Sequence, residues 1–276
     1  MESSDVDRSR RQVLKLSGAA LGLAGAAAAG LNVVGTRSAQ AHGTIVSHSE
    51  IANQPTVYYD EVNPARRSSF GYNPTFYSQL ETWVQFWINN TPVGWTPEME
   101  IWSLGAHFDR GSAAHDAGRG FDLSRLRPHV NGVWTWGFET FNIWDNRTGS
   151  ALITARKRYF ATAASLHYHF RNVLTYLYNS DHHSHIHIDN LSYGTPGAAR
   201  FVTSSEAQVQ HLQACLNYVW GYPTSIDGVW GPQTANNSTT LIRRLGGSGT
   251  LLQHPDANWR GINHATMRFG YGTQNY

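Results

Sequence analysis

From Ser184 to Asp189 the chain alternates without a break, Ser-His-Ile-His-Ile-Asp. A strand sends residues i, i+2 and i+4 to one face. His185, His187 and Asp189 therefore share a face, and Ile186 and Ile188 take the other. The isoleucines read as core, which leaves the histidines on an opposite, partly open face. Asp181, His182 and His183 crowd in just upstream. Neutral imidazole is the commonest zinc ligand, and its pKa of about 6.5 also suits proton transfer. Two imidazoles so spaced can meet one metal ion, or one can bind while the other works beside it. A solvated, His-rich turn is the competing reading, and a partner site elsewhere decides between them.

Residues 115–122, His-Asp-Ala-Gly-Arg-Gly-Phe-Asp, supply that partner. Gly118 and Gly120 let the backbone turn sharply between His115 and Asp122, bringing the two side chains together. Phe121, Leu123 and Leu126 place Asp122 at the start of a strand entering the core. Two histidines and one carboxylate make a three-ligand zinc site of the kind that keeps its fourth position for water.

His-x2-Gly-x3-Asp followed far downstream by His-x-His resembles the zinc peptidases that cut peptidoglycan stems, the lysostaphin and D-alanyl-D-alanine peptidase group, related to the hedgehog fold. The local text, Arg110 to Asp122 and then His185 to Asp189, is most similar to the extensin-like C-terminal family. The resemblance implies His115, Asp122 and His187 as ligands of Zn2+. It implies His185 as a catalytic or transition-state-stabilising residue. His182 completes the His-x2-His-x-His form seen in some of these endopeptidases. The carboxypeptidase branch carries a glutamate base before its last ligand, and no Glu occurs between Glu139 and Glu206. That favours histidine as the base. Arg110 precedes His115 by five positions, and related families keep an arginine near this place. Its guanidinium suits a substrate carboxylate or a developing oxyanion; a surface arginine is the alternative.

The N-terminus reads as a targeting segment. Ser9-Arg10-Arg11-Gln12-Val13-Leu14-Lys15 resembles a twin-arginine export signal. An Ala/Gly/Leu stretch follows, too mildly apolar for a membrane span, and Ala39-Gln40-Ala41 offers small residues for cleavage. Residues 1–41 are therefore expected to be a signal peptide, and the mature protein to be secreted or wall-associated. That segment holds five basic and three acidic residues, so totals of 21 and 19 fall to 16 of each. A neutral mature chain gives no strong pull toward nucleic acid or an anionic membrane. Cys215 is the single cysteine, which excludes an intrachain disulfide and suits export in the folded state.

The rest of the chain alternates strands and helices. Thr56–Tyr59 reads as a short strand. Phe76, Leu80, Trp83, Val84 and Trp87 form one apolar helix face opened by Pro74. Met99, Ile101, Leu104, Ala106 and Phe108 alternate loosely, and Trp134, Trp136 and Phe138 suggest one more strand. The longest helical stripe runs from Thr154, as N-cap, to Tyr178. His167 and His169 within it face different ways and read as packing or surface residues.

Gly194–Ala199 has a linker composition. Beyond it, Ser204 or Ser205 can cap a helix carrying Val209, Leu212, Cys215 and Leu216, and Gly231-Pro232 opens another. Asp227-Gly228-Val229-Trp230-Gly231-Pro232-Gln233-Thr234 resembles the peptidoglycan-binding domain type 1, a small three-helix module. It departs from that pattern after Thr234. In structural terms Asp227 need only cap a turn. The expected fold is α+β: an antiparallel sheet with flanking helices carrying the zinc site over 42–198, plus a small all-α module over 199–276. The expected function is a secreted zinc hydrolase of stem-peptide or cross-link amide bonds, with peptidoglycan as partner. The alternatives are a non-catalytic wall-binding protein with a structural or vestigial zinc site, and an amidase cutting between glycan and peptide. Cys215 sits in an apolar stripe and no Gly-x-Ser-x-Gly occurs, which argues against a nucleophilic serine or cysteine.

Overall fold

A computed structural model describes residues 44–276 apart from 96–97, 109–111, 193–194 and 197, and leaves the side chains of 192–197 aside. The expected signal peptide and Arg110 lie outside the described residues. In chain order the main elements are β1 (Gln54–Tyr58), α1 (Pro74–Asn90), β2 (Met99–Gly105), α2 (Ala113–Asp116) and β3 (Gly120–Val130). Then come β4 (Phe138–Glu139), α3 (Gly149–His169), β5 (Asn172–Leu174) and β6 (Ile186–Asp189). Helices α4 (Glu206–Ala214), α5 (Pro232–Arg244) and α6 (Ala257–Gly270) complete the set.

The sheet runs β5-β6-β3-β2-β1 and ends on Glu50–Ile51. Its pairings are antiparallel except one: β1 runs parallel to β2. The expected all-antiparallel sheet is corrected there, because α1 intervenes between the two strands and carries the chain back to the starting edge. Helices α1 and α3 cover the inner face. Phe76, Leu80, Trp83, Val84 and Trp87 are all fully buried, and the Trp83 indole donates to Ser165 Oγ of α3 at 2.9 Å. Truncating a core side chain of this size costs about 3–5 kcal/mol. Asn73 caps α1, its side chain accepting from Thr75 and Phe76 amides, and Pro74 contributes a fixed φ where no amide donor is needed.

Two expectations are corrected. Helix α3 begins after Thr148, six residues before the expected cap Thr154, and stops at His169. Phe170 turns to extended backbone and is fully buried, its ring meeting Phe76 and Trp83 edge-on. The residues that follow become β5 and pair with β6. Val173, Leu174 and Leu177 match a helical period, but β6 has an open edge, and pairing it outweighs local periodicity. Likewise Trp134 and Phe138 fall in two separate two-residue bridges to β3, with Trp136 between them.

After residue 199 the described chain is helical. Ser205 caps α4, which continues as a π-helical turn over Cys215–Val219. Asp227 caps its own turn: Oδ1 accepts from the Val229 amide at 2.9 Å. These helices pack on the back of α3. The Trp259 indole donates to the His167 carbonyl, and Tyr271 OH bonds Thr162 and the Gly137 carbonyl.

His167 is fully buried here, ring centroid 4.0 Å from His211, with neither ring nitrogen hydrogen-bonded among the described residues. His211 bonds Asn263 and lies against Cys215. Burial pushes the His211 pKa down to about 4, and burial together with His211 pushes His167 well below its usual value. A buried histidine that resists protonation stabilises the fold fully above its unfolded pKa of about 6.5, and that stability is lost as pH falls below it. The loss is about 1.4 kcal/mol per pH unit for each such group. His167→Leu is expected to be no less stable than wild type at pH 7 and clearly more stable at pH 5, by urea unfolding at both pH values. A smaller stability gap at pH 5 than at pH 7 would show that His167 is already charged in the folded state.

Candidate metal centre

Asp122 occupies β3 opposite His187 on β6 and, on its other side, opposite Gly105 on β2. Cross-strand neighbours on one face sit close enough for their side chains to touch. His187 Nδ1 lies 3.0 Å from Asp122 Oδ1. Ile186 and Ile188 point inward and are fully buried.

His115 arrives from α2, capped by Ser112. The turn back to β3 depends on Gly118, at φ +64, where a Cβ would lie 2.8 Å from the Asn73 amide. At Gly120 a Cβ would lie 3.0 Å from His115 Nδ1, so a bare backbone lets the imidazole rest on the strand. His115 Nε2 then stands 3.3 Å from Asp122 Oδ1. Ligand atoms about 2.05 Å from a common tetrahedral ion lie about 3.3 Å apart. The two measured separations fall close to that edge length.

The rings are aimed by their other nitrogens. His115 Nδ1 donates to the Ala106 carbonyl. His187 Nε2 faces Asp189 Oδ2 at 3.1 Å. Asp189 is itself held, its Oδ1 accepting from Asn172 Nδ2 and the Leu191 amide, each at 2.8 Å. Carboxylates and carbonyls placed this way fix the tautomer of a ligating histidine and raise its basicity. His115, Asp122 and His187 thus form a buried group, with ligand atoms within 4.8 Å of one another, that can hold a metal ion.

Electrostatics agree with that use. Burial pushes the Asp122 pKa up, but hydrogen bonds from His115 and His187 and the proximity of His185 outweigh it, so the carboxyl stays below its usual range. Burial lowers His187, yet hydrogen bonds to Asp122 and Asp189 lift it to about 9.

His185 stands at the rim. Its Nε2 is 3.6 Å from Asp122 Oδ1, its side chain is 14 % exposed, and its Nδ1 has no hydrogen-bond partner among the described residues. Burial lowers its pKa, opposed in part by Asp122. His182 lies behind it, ring centroids 5.2 Å apart. Its Nδ1 bonds Asn179 Oδ1 at 2.5 Å, and burial, reinforced by His185 and His187, takes its pKa down to about 4. Both shifts favour the neutral ring. His183 points away, against Phe141.

Sequence reasoning placed Asp189 on the shared face but gave it no role. It missed Asn172, because the β5 segment was read as helix. It had no signal for the Ala106 carbonyl, a backbone group whose use is set by tertiary structure. No family model, curated protein or solved structure matches the chain. Asp189→Asn is expected to weaken metal binding about 10–100-fold, the usual cost of losing such a support. Competition with a chromophoric chelator measures it, and an unchanged affinity would remove Asp189 from the centre.

Proposed function

We propose that this chain is an exported zinc-dependent hydrolase of peptidoglycan, cutting amide bonds of stem peptides or their cross-links. The observation that carries the reading is the convergence of His115, Asp122 and His187 beside a third histidine, His185, whose Nδ1 is unpartnered among the described residues. The donor set of two imidazoles and one carboxylate suits Zn2+ and matches three-ligand catalytic sites. The sequence likeness to the extensin-like family, the resemblance of 199–276 to a wall-binding module and the twin-arginine text support the same assignment.

Zinc held there supplies Lewis acidity, polarising the scissile carbonyl. The protein supplies the rest. His115 and His187 are held in one orientation by Ala106 and Asp189, so the site is built before substrate arrives. His185, neutral and at the rim, takes the proton from water as its oxygen adds to the carbonyl carbon. It returns that proton to the amide nitrogen as the C–N bond breaks. His182 donates Nδ1–H to Asn179 Oδ1, which fixes its ring beside that of His185. Its low pKa makes it a positioning residue rather than the base. Arg110 would stabilise the oxyanion.

The test is digestion of purified peptidoglycan by the mature protein with chelator, and again after zinc is restored. Release of stem-peptide fragments that stops with chelator and returns with zinc supports the proposal. A free lactyl group on muramic acid identifies the amidase alternative instead. A second reading, a wall-binding protein with a structural metal, draws on the missing glutamate base. Co-sedimentation with insoluble wall and no soluble products would establish it over hydrolysis.

A further inference from the structure

The face that holds the metal centre continues along the sheet. On β3 the register steps from Ser103↔Leu123 to Trp102↔Arg125, leaving Ser124 as an extra, bulged residue. The bulge restores alternation out of phase. Phe121, Leu123 and Leu126 all point inward and are fully buried, while Asp122, Arg125 and Arg127 share the outer face. At about 3.3 Å per residue, Arg125 stands about 10 Å along the strand from Asp122.

Arg125 is held by aromatic rings rather than by charge. Its guanidinium carbon lies 4.3 Å from the ring centre of Tyr59, 5.0 Å from Trp136 and 5.6 Å from Trp102. Its NH2 group donates to Tyr59 OH at 2.7 Å. Among the described residues it makes no ion pair. Glu100 is taken by Arg67 and Arg127, and Glu139 by Arg147. The side-chain Nε is buried without a partner. A cavity of about 350 Å³, lined by Trp136, Glu139 and Arg147, opens beside this array. Arg66 adds further positive charge, stacked on Tyr58. A pre-oriented guanidinium in an aromatic frame, with the neighbouring carboxylates Glu100 and Glu139 already paired to other arginines, is suited to an added carboxylate.

We propose that Arg125 is a carboxylate-binding subsite of the substrate groove, holding a free carboxylate of the stem peptide while the scissile amide lies at the metal centre. The inference rests on the hydrolase reading and adds a specificity to it. A span of about 10 Å equals about three residues of extended peptide. The recognised carboxylate therefore sits about three residues from the bond that is cut.

The experiment is calorimetric titration of the mature chain, in chelator so that nothing turns over. The probes are a disaccharide-tetrapeptide muropeptide and the same compound with its carboxylates amidated. Wild type is expected to prefer the free acid by about tenfold. Arg125→Gln should lose that preference while binding the amidated form as wild type does, and Arg125→Lys should recover part of it. Equal affinity of wild type for the two probes would overturn the subsite. So would an equal loss for both probes in Arg125→Gln, which reports a collapsed aromatic frame. Carboxylate preference without wall cleavage by the zinc-loaded protein removes the hydrolase and leaves the subsite. Cleavage without preference does the reverse.

Discussion

Asp122→Asn is expected to empty the metal centre. Zinc bound at a structural four-ligand site is worth about 10–16 kcal/mol, so one ligand contributes about 2.5–4 kcal/mol, roughly a hundredfold to a thousandfold in affinity. The substitution does more than remove a ligand. It also strips the carboxylate shared by His115 and His187, each within 3.3 Å of it, and leaves His187 with Asp189 alone. Metal content of the purified mature chain, by plasma mass spectrometry, should fall from one equivalent to near zero. Thermal unfolding should lose its dependence on added zinc, since a ligand that binds only the folded state raises stability with its concentration. A variant that keeps a full equivalent would mean that the ion, if any, sits elsewhere.

His185→Ala separates binding from chemistry. His185 is outside the three-residue ligand group and reaches Asp122 only at 3.6 Å, so metal content should stay at one equivalent. Peptidoglycan cleavage should fall about 10²–10⁴-fold, the usual contribution of a positioned acid–base group. Fragment release by liquid chromatography measures the rate, and metal analysis of the same preparation measures occupancy. A rate within a few-fold of wild type would move the proton transfer to another group. Loss of the metal would instead make His185 a ligand.

The centre was legible in sequence because its spacing is tied to backbone periods. Alternation over 184–189 put His185, His187 and Asp189 on one face, and the two glycines before Asp122 announced a tight turn. Helix α1 was equally legible, since Pro74 and the apolar face at Phe76, Leu80, Trp83, Val84 and Trp87 agree on one register. What failed was decided by partners far along the chain. Residues 172–174 have a helical apolar pattern, but the open edge of β6 claims them as β5, and Asn172 then reaches Asp189. The bulge at Ser124, which sets the side of the sheet that Arg125 takes, has no local sequence signal. Neither does the parallel pairing of β1 with β2.

The short strand β5 also links the helices after residue 205 to the ring of His187. Asn172 steadies Asp189, and Asp189 steadies His187. Immediately before Asn172, the Arg171 carbonyl accepts from Gln208 of α4, and α3, which delivers β5, is backed by Trp259 and Tyr271. Trimming the protein at residue 199 would therefore strip the rear support from the very strand that aims a ligand imidazole. The half that carries the candidate metal centre is not a free-standing cassette, and a shortened version is expected to bind a metal ion more weakly even with His115, Asp122 and His187 intact.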